Sequence, residues 1–427
     1  MKLAFECKKH NSKLFFVLFA SLITYTIYVL PLILRPFDGL PWGALDGAYY
    51  YVAQDMYNHG NMPSFHLYPW LPVPFLYSSS VSLILGLTTL QTLNFVYPLA
   101  PALSALFVCV VAFSIAKNYG GLFGGLLFAF APLHILTLMY HYHKFLFAEM
   151  YLVLLIFVLL ISELRIFSPL FLSLSLLSHP AVGGIAFLLM MFLGIIEKSR
   201  KVLLMAVIGT LPIIPFAGVY SSVGGVLGES GYLPISLNVV SLSLVSFIFA
   251  FFVLKLRPSK TVVALSILMV GTGVNALLKL ALYERLLLIL ELGGTMIIPY
   301  AVGFIPRKTF LSVLVLVLVV LSWVSAVNGL IETKPSDVRP SEMECYGFLS
   351  EYGDGVVIGD ISHITWASAL SGLPSPYVHP PLYPVQPSSS LPPPSYVLLY
   401  GNRLNPDSKN LDCKIFDSGY VRVYLSQ

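Results

Sequence analysis

Residues 45–69 read LDGAYYYVAQDMYNHGNMPSFHLYP. The stretch is polar and aromatic, yet it comes directly after the first long apolar run of the chain, Leu14–Leu34. At 1.5 Å per residue that run is long enough to cross roughly 30 Å of hydrocarbon. Whether the segment after the polar stretch also crosses sets the phase of every later span. Leu71–Leu90 is apolar, but it opens among Pro69, Pro72 and Pro74 and is interrupted by Ser78, Ser79 and Ser80. We read it as a re-entrant or juxtamembrane helix, which leaves the polar stretch and the following turns on one face of the membrane.

The class follows from composition. With 57% hydrophobic and 10% charged residues, a soluble globule of this length would expose far more apolar surface than water tolerates. The chain reads as a multi-pass protein of the cell membrane. Its net charge of +4 matters less than where Lys and Arg fall. Lys8, Lys9 and Lys13 precede the first apolar run, and no small-residue cleavage site follows it. We therefore expect an uncleaved first span with a cytoplasmic N-terminus.

With Leu71–Leu90 held out of the count, the later basic clusters fall on the cytoplasmic side: Lys117, Arg165, Lys198 with Arg200 and Lys201, Lys255 with Arg257 and Lys260, and Arg307 with Lys308. That is the positive-inside pattern. Counting the segment as a crossing inverts it for every loop. The expectation is an all-α polytopic membrane domain of about ten transmembrane helices over residues 1–330, with an external loop at 35–91. Outside lie the Tyr140–Lys144 segment, the His179-Pro180 break and the Glu284-Arg285 pair. Residues 331–427 form a small extracytoplasmic α/β domain. Within it we expect a helix at Ser341–Tyr352, a strand at Val356–Asp360, a helix at His363–Ser371, a strand at Tyr396–Tyr400, and a hairpin at Lys414–Tyr424 turning at Asp417-Ser418-Gly419. Cys345 and Cys413 both fall in that outer compartment, where disulfides persist, and are expected to pair.

An N-terminal span, then an external loop opening on Asp46-Gly47-Ala48-Tyr49-Tyr50, then the Tyr68-Pro69 turn into a juxtamembrane helix, further spans and an outer C-terminal domain: this order resembles the GT-C superfamily. Its members are integral-membrane glycosyltransferases that use polyprenyl-phosphate-linked sugars. The resemblance covers Leu14 to about Phe187 best. It implies a role in catalysis or metal binding for the acidic residue of the first external loop, here Asp46. It also implies a further acidic site in the second external loop, which here is the stretch from His141 to Glu149. An arginine near Arg285 touches the donor phosphate in such proteins. No Asp-x-Asp stands in the second loop and no WWDYG-type motif in the outer domain, which argues against an oligosaccharyltransferase.

The chemistry requires few groups. Transfer from a lipid phosphate needs a base for the acceptor hydroxyl and cations for the departing phosphate. Asp46 suits the base, and equally suits an N-cap for a helix Gly47–His59. Lys144 and Arg285 are cations placed outside, suited to a phosphate; snorkelling is the plain alternative for Lys144. His141, His143 and Glu149 carry groups competent to hold a divalent metal such as Mg or Mn. His179, at the Ser-His-Pro break, is expected to line an outer cavity, because ionisable groups at that depth face cavities or partners. Glu291, inside a span, has no assigned role.

There is no Walker phosphate loop, no dinucleotide Gly-x-Gly-x-x-Gly signature and no His-Glu-x-x-His zinc helix. The absence of a basic patch excludes nucleic acid as a partner. The expected function is transfer of a sugar from a polyprenyl-phosphate donor to a lipid, glycan or protein acceptor on the extracytoplasmic face. A catalytically silent lipid-binding or assembly subunit of the same architecture is the alternative. A secondary transporter fits less well, since the two halves show no repeat.

Overall fold

The computed structural model describes residues 7–33, 73–88, 91–116, 120–139, 143–216, 240–256, 258–279, 283–305, 308–333, 340–352, 355–358, 367, 371, 373, 395–400, 413–417 and 421–426. The candidate helix Gly47–His59, with Asp46, and the residue His141 lie outside them. The chain divides into two compact units. One comprises Met1–Leu34, Leu71–Pro74 and Phe95–Thr333, and the other Arg35–Trp70, Phe75–Asn94 and Lys334–Gln427.

The first unit is helical. Its helices are α1 (Cys7–Ile33), α3 (Leu99–Ala116), α4 (Gly120–Ala129), α5 (Pro132–Met139), α6 (His143–Leu160), α7 (Ser168–Leu176), α8 (Pro180–Glu197), α9 (Arg200–Thr210), α10 (Ser241–Lys255), α11 (Lys260–Leu277), α12 (Tyr283–Val302) and α13 (Lys308–Thr333); α2 (Val73–Leu85) begins in it and continues into the second unit. Among the described residues, six spans are long and apolar enough to cross a membrane, and Leu14–Val29, Val73–Leu85 and Ser241–Lys255 are shorter apolar helices. This is a multi-pass membrane protein.

Proline explains where the helices depart from the apolar runs. The run Gly120–Met139 divides at Phe130-Ala131 because Pro132 brings no N–H and disfavours helical backbone in the residue before it. The run from Val202 is helical only to Thr210, then tightens to a 3₁₀ turn over Leu211–Phe216, where Pro212 and Pro215 stand. Among the described residues of Leu71–Leu90 stands the short helix α2, whose start is pinned from two sides. The Val73 N–H donates to the Leu177 carbonyl (3.4 Å), and Tyr97 Oη donates to the Pro74 carbonyl (3.2 Å).

Burial orders the helices. Of the span Glu284–Val302, 89% is buried, against 22% of Lys308–Asn328, so α12 is central and α13 peripheral. Around α12 pack α10, α11, α4 and α3. Lipid is as apolar as leucine, so such helices are held by close approach and side-chain hydrogen bonds. Gly124 gives the close approach: a Cβ there would stand 2.6 Å from the Thr295 carbonyl of α12. Ser243 Oγ donates to the Leu287 carbonyl (3.1 Å), tying α10 to α12. Ser21 Oγ donates to the Ala102 carbonyl (2.9 Å), tying α1 to α3. Leu14, Phe15 and Leu22 on α1 and Phe310 and Leu321 on α13 are exposed, a pattern suited to lipid rather than water.

The second unit includes α14 (Pro340–Tyr352) and strands β1 (Val356–Ile358), β2 (Ser395–Tyr400), β3 (Cys413–Asp417) and β4 (Val421–Ser426), in the order β1-β2-β4-β3. β1 runs parallel to β2, and β3 and β4 form the expected antiparallel hairpin. Phe348 of α14 packs on Phe416 of β3, ring centroids 5.1 Å apart. Cys345 is a buried, free thiol, so the disulfide expected with Cys413 is not formed. Burial, with the Glu342 carboxylate adding to it, pushes that thiol up to about 12. Little thiolate is then present for exchange.

Candidate functional site

Three helix starts of the first unit each carry a positively charged or protonatable side chain. Lys144 is the second residue of α6, His179 is the N-cap residue of α8, and Arg285 lies in the first turn of α12. They are close enough for the charge of Arg285 to act on Lys144, and for both charges to act on His179. The local sequence places each of them. Pro180 opens α8 at a position where its missing N–H costs nothing and leaves His179 extended, at φ −153° and ψ 124°. The His179 ring stands edge-on to Phe145, centroids 5.4 Å apart. It is buried, and its Nδ1 has no hydrogen-bond partner. The start of α2 lies beside this corner, through the bond from Val73 to Leu177.

Helix N-termini present free N–H groups and the positive end of the helix dipole. Helix N-termini near a lysine and an arginine suit an anion, and phosphate is the anion that Arg and Lys hold best. The same charges oppose a metal cation at His179. Among the described residues, no three His, Cys, Asp or Glu side chains are grouped to hold one. His143 is the first helical residue of α6.

Glu149 does not stand in a loop with the other candidates. It lies on α6, 1% exposed, and its Oε1 is 2.5 Å from His134 Nε2. His134 Nδ1 is 3.0 Å from Glu291 Oε2, on α12. The same Glu291 oxygen accepts the Leu133 N–H at 3.1 Å, so it caps α5, whose first turn has no partner of its own. All three side chains are buried. A neutral imidazole has one donor nitrogen and one acceptor. Bonds from both nitrogens to carboxyl groups therefore require two protons shared among the three groups. Glu149 Oε2, Glu291 Oε1 and the Tyr28 hydroxyl remain buried without hydrogen bonds.

The sequence reading thus grouped Glu149 with His141 and His143 in an external loop, whereas the structure buries it against His134, a residue that reading missed. A lone histidine after Pro132 in an apolar run carries no signal of its partners, which lie 15 and 157 residues away. At the far ends of the same helices, Arg165 forks onto Glu197 with bonds of 2.8 and 3.0 Å.

No protein-family model matches the sequence, and no curated protein does. Solved structures share its fold. ArnT from Cupriavidus metallidurans, bound to undecaprenyl phosphate, superposes with a TM-score of 0.65 at 11% identity, over 96% of this chain and 97% of that one. The Archaeoglobus fulgidus oligosaccharyltransferase in complex with Zn and sulfate gives 0.62 at 13% identity, over 86% of this chain and 62% of that one. The same archaeal enzyme, AglB, with an inhibitory peptide and a dolichol-phosphate gives 0.62 at 11%, over 88% and 65%. The chain therefore spans just under two thirds of the archaeal enzyme's length and nearly all of ArnT's. Its fold is the GT-C fold.

Proposed function

We propose that this GT-C-fold protein is a membrane glycosyltransferase. It moves a sugar from a polyprenyl-phosphate carrier to a lipid, glycan or protein acceptor on the extracytoplasmic face. The observation that supports this most directly is the meeting of Lys144, His179 and Arg285 at the starts of α6, α8 and α12. The neighbours add to it, since one is bound to undecaprenyl phosphate and another to a dolichol-phosphate.

In the reaction the acceptor oxygen attacks the anomeric carbon while the bond from that carbon to the phosphate oxygen breaks. The electron pair leaves with the phosphate, and the acceptor proton goes to a carboxylate. Negative charge grows on the phosphate oxygen as the bond breaks. Arg285 as a fork, Lys144 as a point charge and the helix N-termini stabilise that growth most in the transition state. His179 Nδ1, which has no partner, is placed to donate one more hydrogen bond. Asp46 is the proposed base. Among the described residues no three His, Cys, Asp or Glu side chains are grouped for a divalent ion beside this cluster.

The orientation we propose puts the cation cluster, the 35–91 loop and residues 331–427 outside and the N-terminus in the cytoplasm. The basic residues Arg165, Lys198, Arg200 and Lys201 support it, because they sit at the opposite ends of α6 and α8 from Lys144 and His179.

Two measurements on the full chain in lipid nanodiscs test the reading. Undecaprenyl phosphate should bind the native chain and bind Arg285→Ala at least about tenfold more weakly, as expected for one lost charge-assisted contact. Asp46→Ala should bind it normally and lose sugar transfer. Normal transfer by Asp46→Ala removes the base, and normal phosphate binding by Arg285→Ala removes the donor site. If native chain binds the phosphate and transfers nothing to any acceptor class, the silent lipid-binding subunit is the correct reading.

A further inference from the structure

The Glu149–His134–Glu291 network is unexpected in an apolar core. Taking charges out of water is costly, and a buried ionic triad is often no more stable than well-packed apolar side chains of the same volume. Here the cost is compounded by two carboxyl oxygens and the Tyr28 hydroxyl that have no hydrogen bond. Stability alone does not account for the network.

Its position does. Glu149 is five residues into α6 from Lys144, and Glu291 is six residues into α12 from Arg285. At 1.5 Å per residue these are depths of roughly 7.5 and 9 Å. His134 therefore ties the two helices at nearly equal distances below the two cations. Those helices do not pack broadly on each other; both lean on α3. A small apolar void is shared by four helices, lined by Leu152 and Ile156 of α6, Leu189 of α8, Met269 of α11 and Leu292 and Gly293 of α12. Little direct packing joins the two helices to each other, and the imidazole bridges them. A planar ring holding a carboxyl oxygen at each nitrogen admits one separation and one orientation.

We infer that Glu149, His134 and Glu291 are positioning residues that set the distance between Lys144 and Arg285. They act through the backbones of α6 and α12 and touch no substrate. A phosphate held by two cations needs both within hydrogen-bond reach at once, so a change of about 1 Å in helix separation turns a two-point contact into a one-point contact. This inference rests on the phosphate reading of the cation cluster.

The test measures affinity for undecaprenyl phosphate in nanodiscs, with thermal stability recorded in parallel. His134→Leu should lower affinity at least about tenfold. Leu152→Ala, a core truncation on α6 that leaves the network whole, should lose stability and keep affinity within about twofold. Glu149→Gln preserves shape and a hydrogen bond to the ring, and should recover most of the affinity that Glu149→Leu loses. If His134→Leu does not fold, Glu291→Leu set against Glu291→Gln carries the same comparison. Equal loss of affinity in His134→Leu and Leu152→Ala overturns the inference, because it makes the effect one of stability. Native affinity in His134→Leu, with affinity lost in Arg285→Ala, overturns the inference and leaves the phosphate site standing. Native affinity in Arg285→Ala and Lys144→Ala overturns both.

Discussion

His134 Nε2 lies 2.5 Å from Glu149 Oε1, and neither side chain is more than 1% exposed. The two belong to helices separated by the Tyr140–Tyr142 segment, so the contact folds α5 back along α6. Because Glu291 holds the other ring nitrogen, one imidazole joins α5, α6 and α12. A buried polar triad of this kind has measurable consequences for stability, separate from its consequences for binding.

Glu149→Leu leaves the His134–Glu291 pair with the wrong number of protons for its surroundings. Removing one partner from a buried charged network costs about 3 kcal/mol or more. Glu149→Gln keeps an oxygen acceptor and a donor amide in the same volume and should cost less than about 1.5 kcal/mol. Unfolding of the detergent-solubilised chain by graded denaturant compares the two, and equal costs would contradict the hydrogen-bonded role.

Arg285→Lys keeps the charge at the start of α12 and loses the planar fork. Phosphate affinity should fall between those of the native chain and Arg285→Ala. Isothermal titration with undecaprenyl phosphate at two salt concentrations reads both effects. The salt dependence should survive in Arg285→Lys and weaken in Arg285→Ala.

Gly124→Leu should destabilise by about 3 kcal/mol or prevent assembly, because its Cβ alone would meet the Thr295 carbonyl at 2.6 Å and backbone cannot step aside. Gly184→Ala should be neutral or stabilising by up to about 1 kcal/mol, since nothing lies within 4 Å of the added Cβ. Thermal midpoints of the two variants make the comparison.

Cys345 should resist N-ethylmaleimide near neutral pH in the folded chain. Its thiol is buried, and pushed up to about 12 chiefly by that burial. After denaturation without reductant it should be alkylated fully, as a free thiol and not half of a disulfide. Mass spectrometry of the peptide carrying Cys345, with and without reductant, reads the result directly.

Composition and hydropathy determined on their own that this is a multi-pass helical membrane protein. The apolar runs gave most helix positions, because a span must satisfy its backbone within itself and so needs a contiguous apolar stretch. That the apolar run Leu71–Leu90 would not carry one long helix was legible from its prolines and serines, and its described helix is Val73–Leu85. The C-terminal hairpin was legible for a related reason: β3 and β4 are neighbours in sequence and pair antiparallel. What escaped were relationships between residues far apart along the chain. Nothing local to Glu149 shows that it leaves the loop region and meets His134. Nothing local to Pro132 shows that the break it causes will be capped by Glu291, 159 residues later. A hydrogen bond across helices depends on which faces pack and at what depth, and in lipid that is decided by close-fitting glycines and scattered serines rather than by a pattern of polarity. The sequence therefore specified which helices exist and which ends carry charge. Only the tertiary structure decided which of those ends come near one another, and that a single imidazole joins α5, α6 and α12.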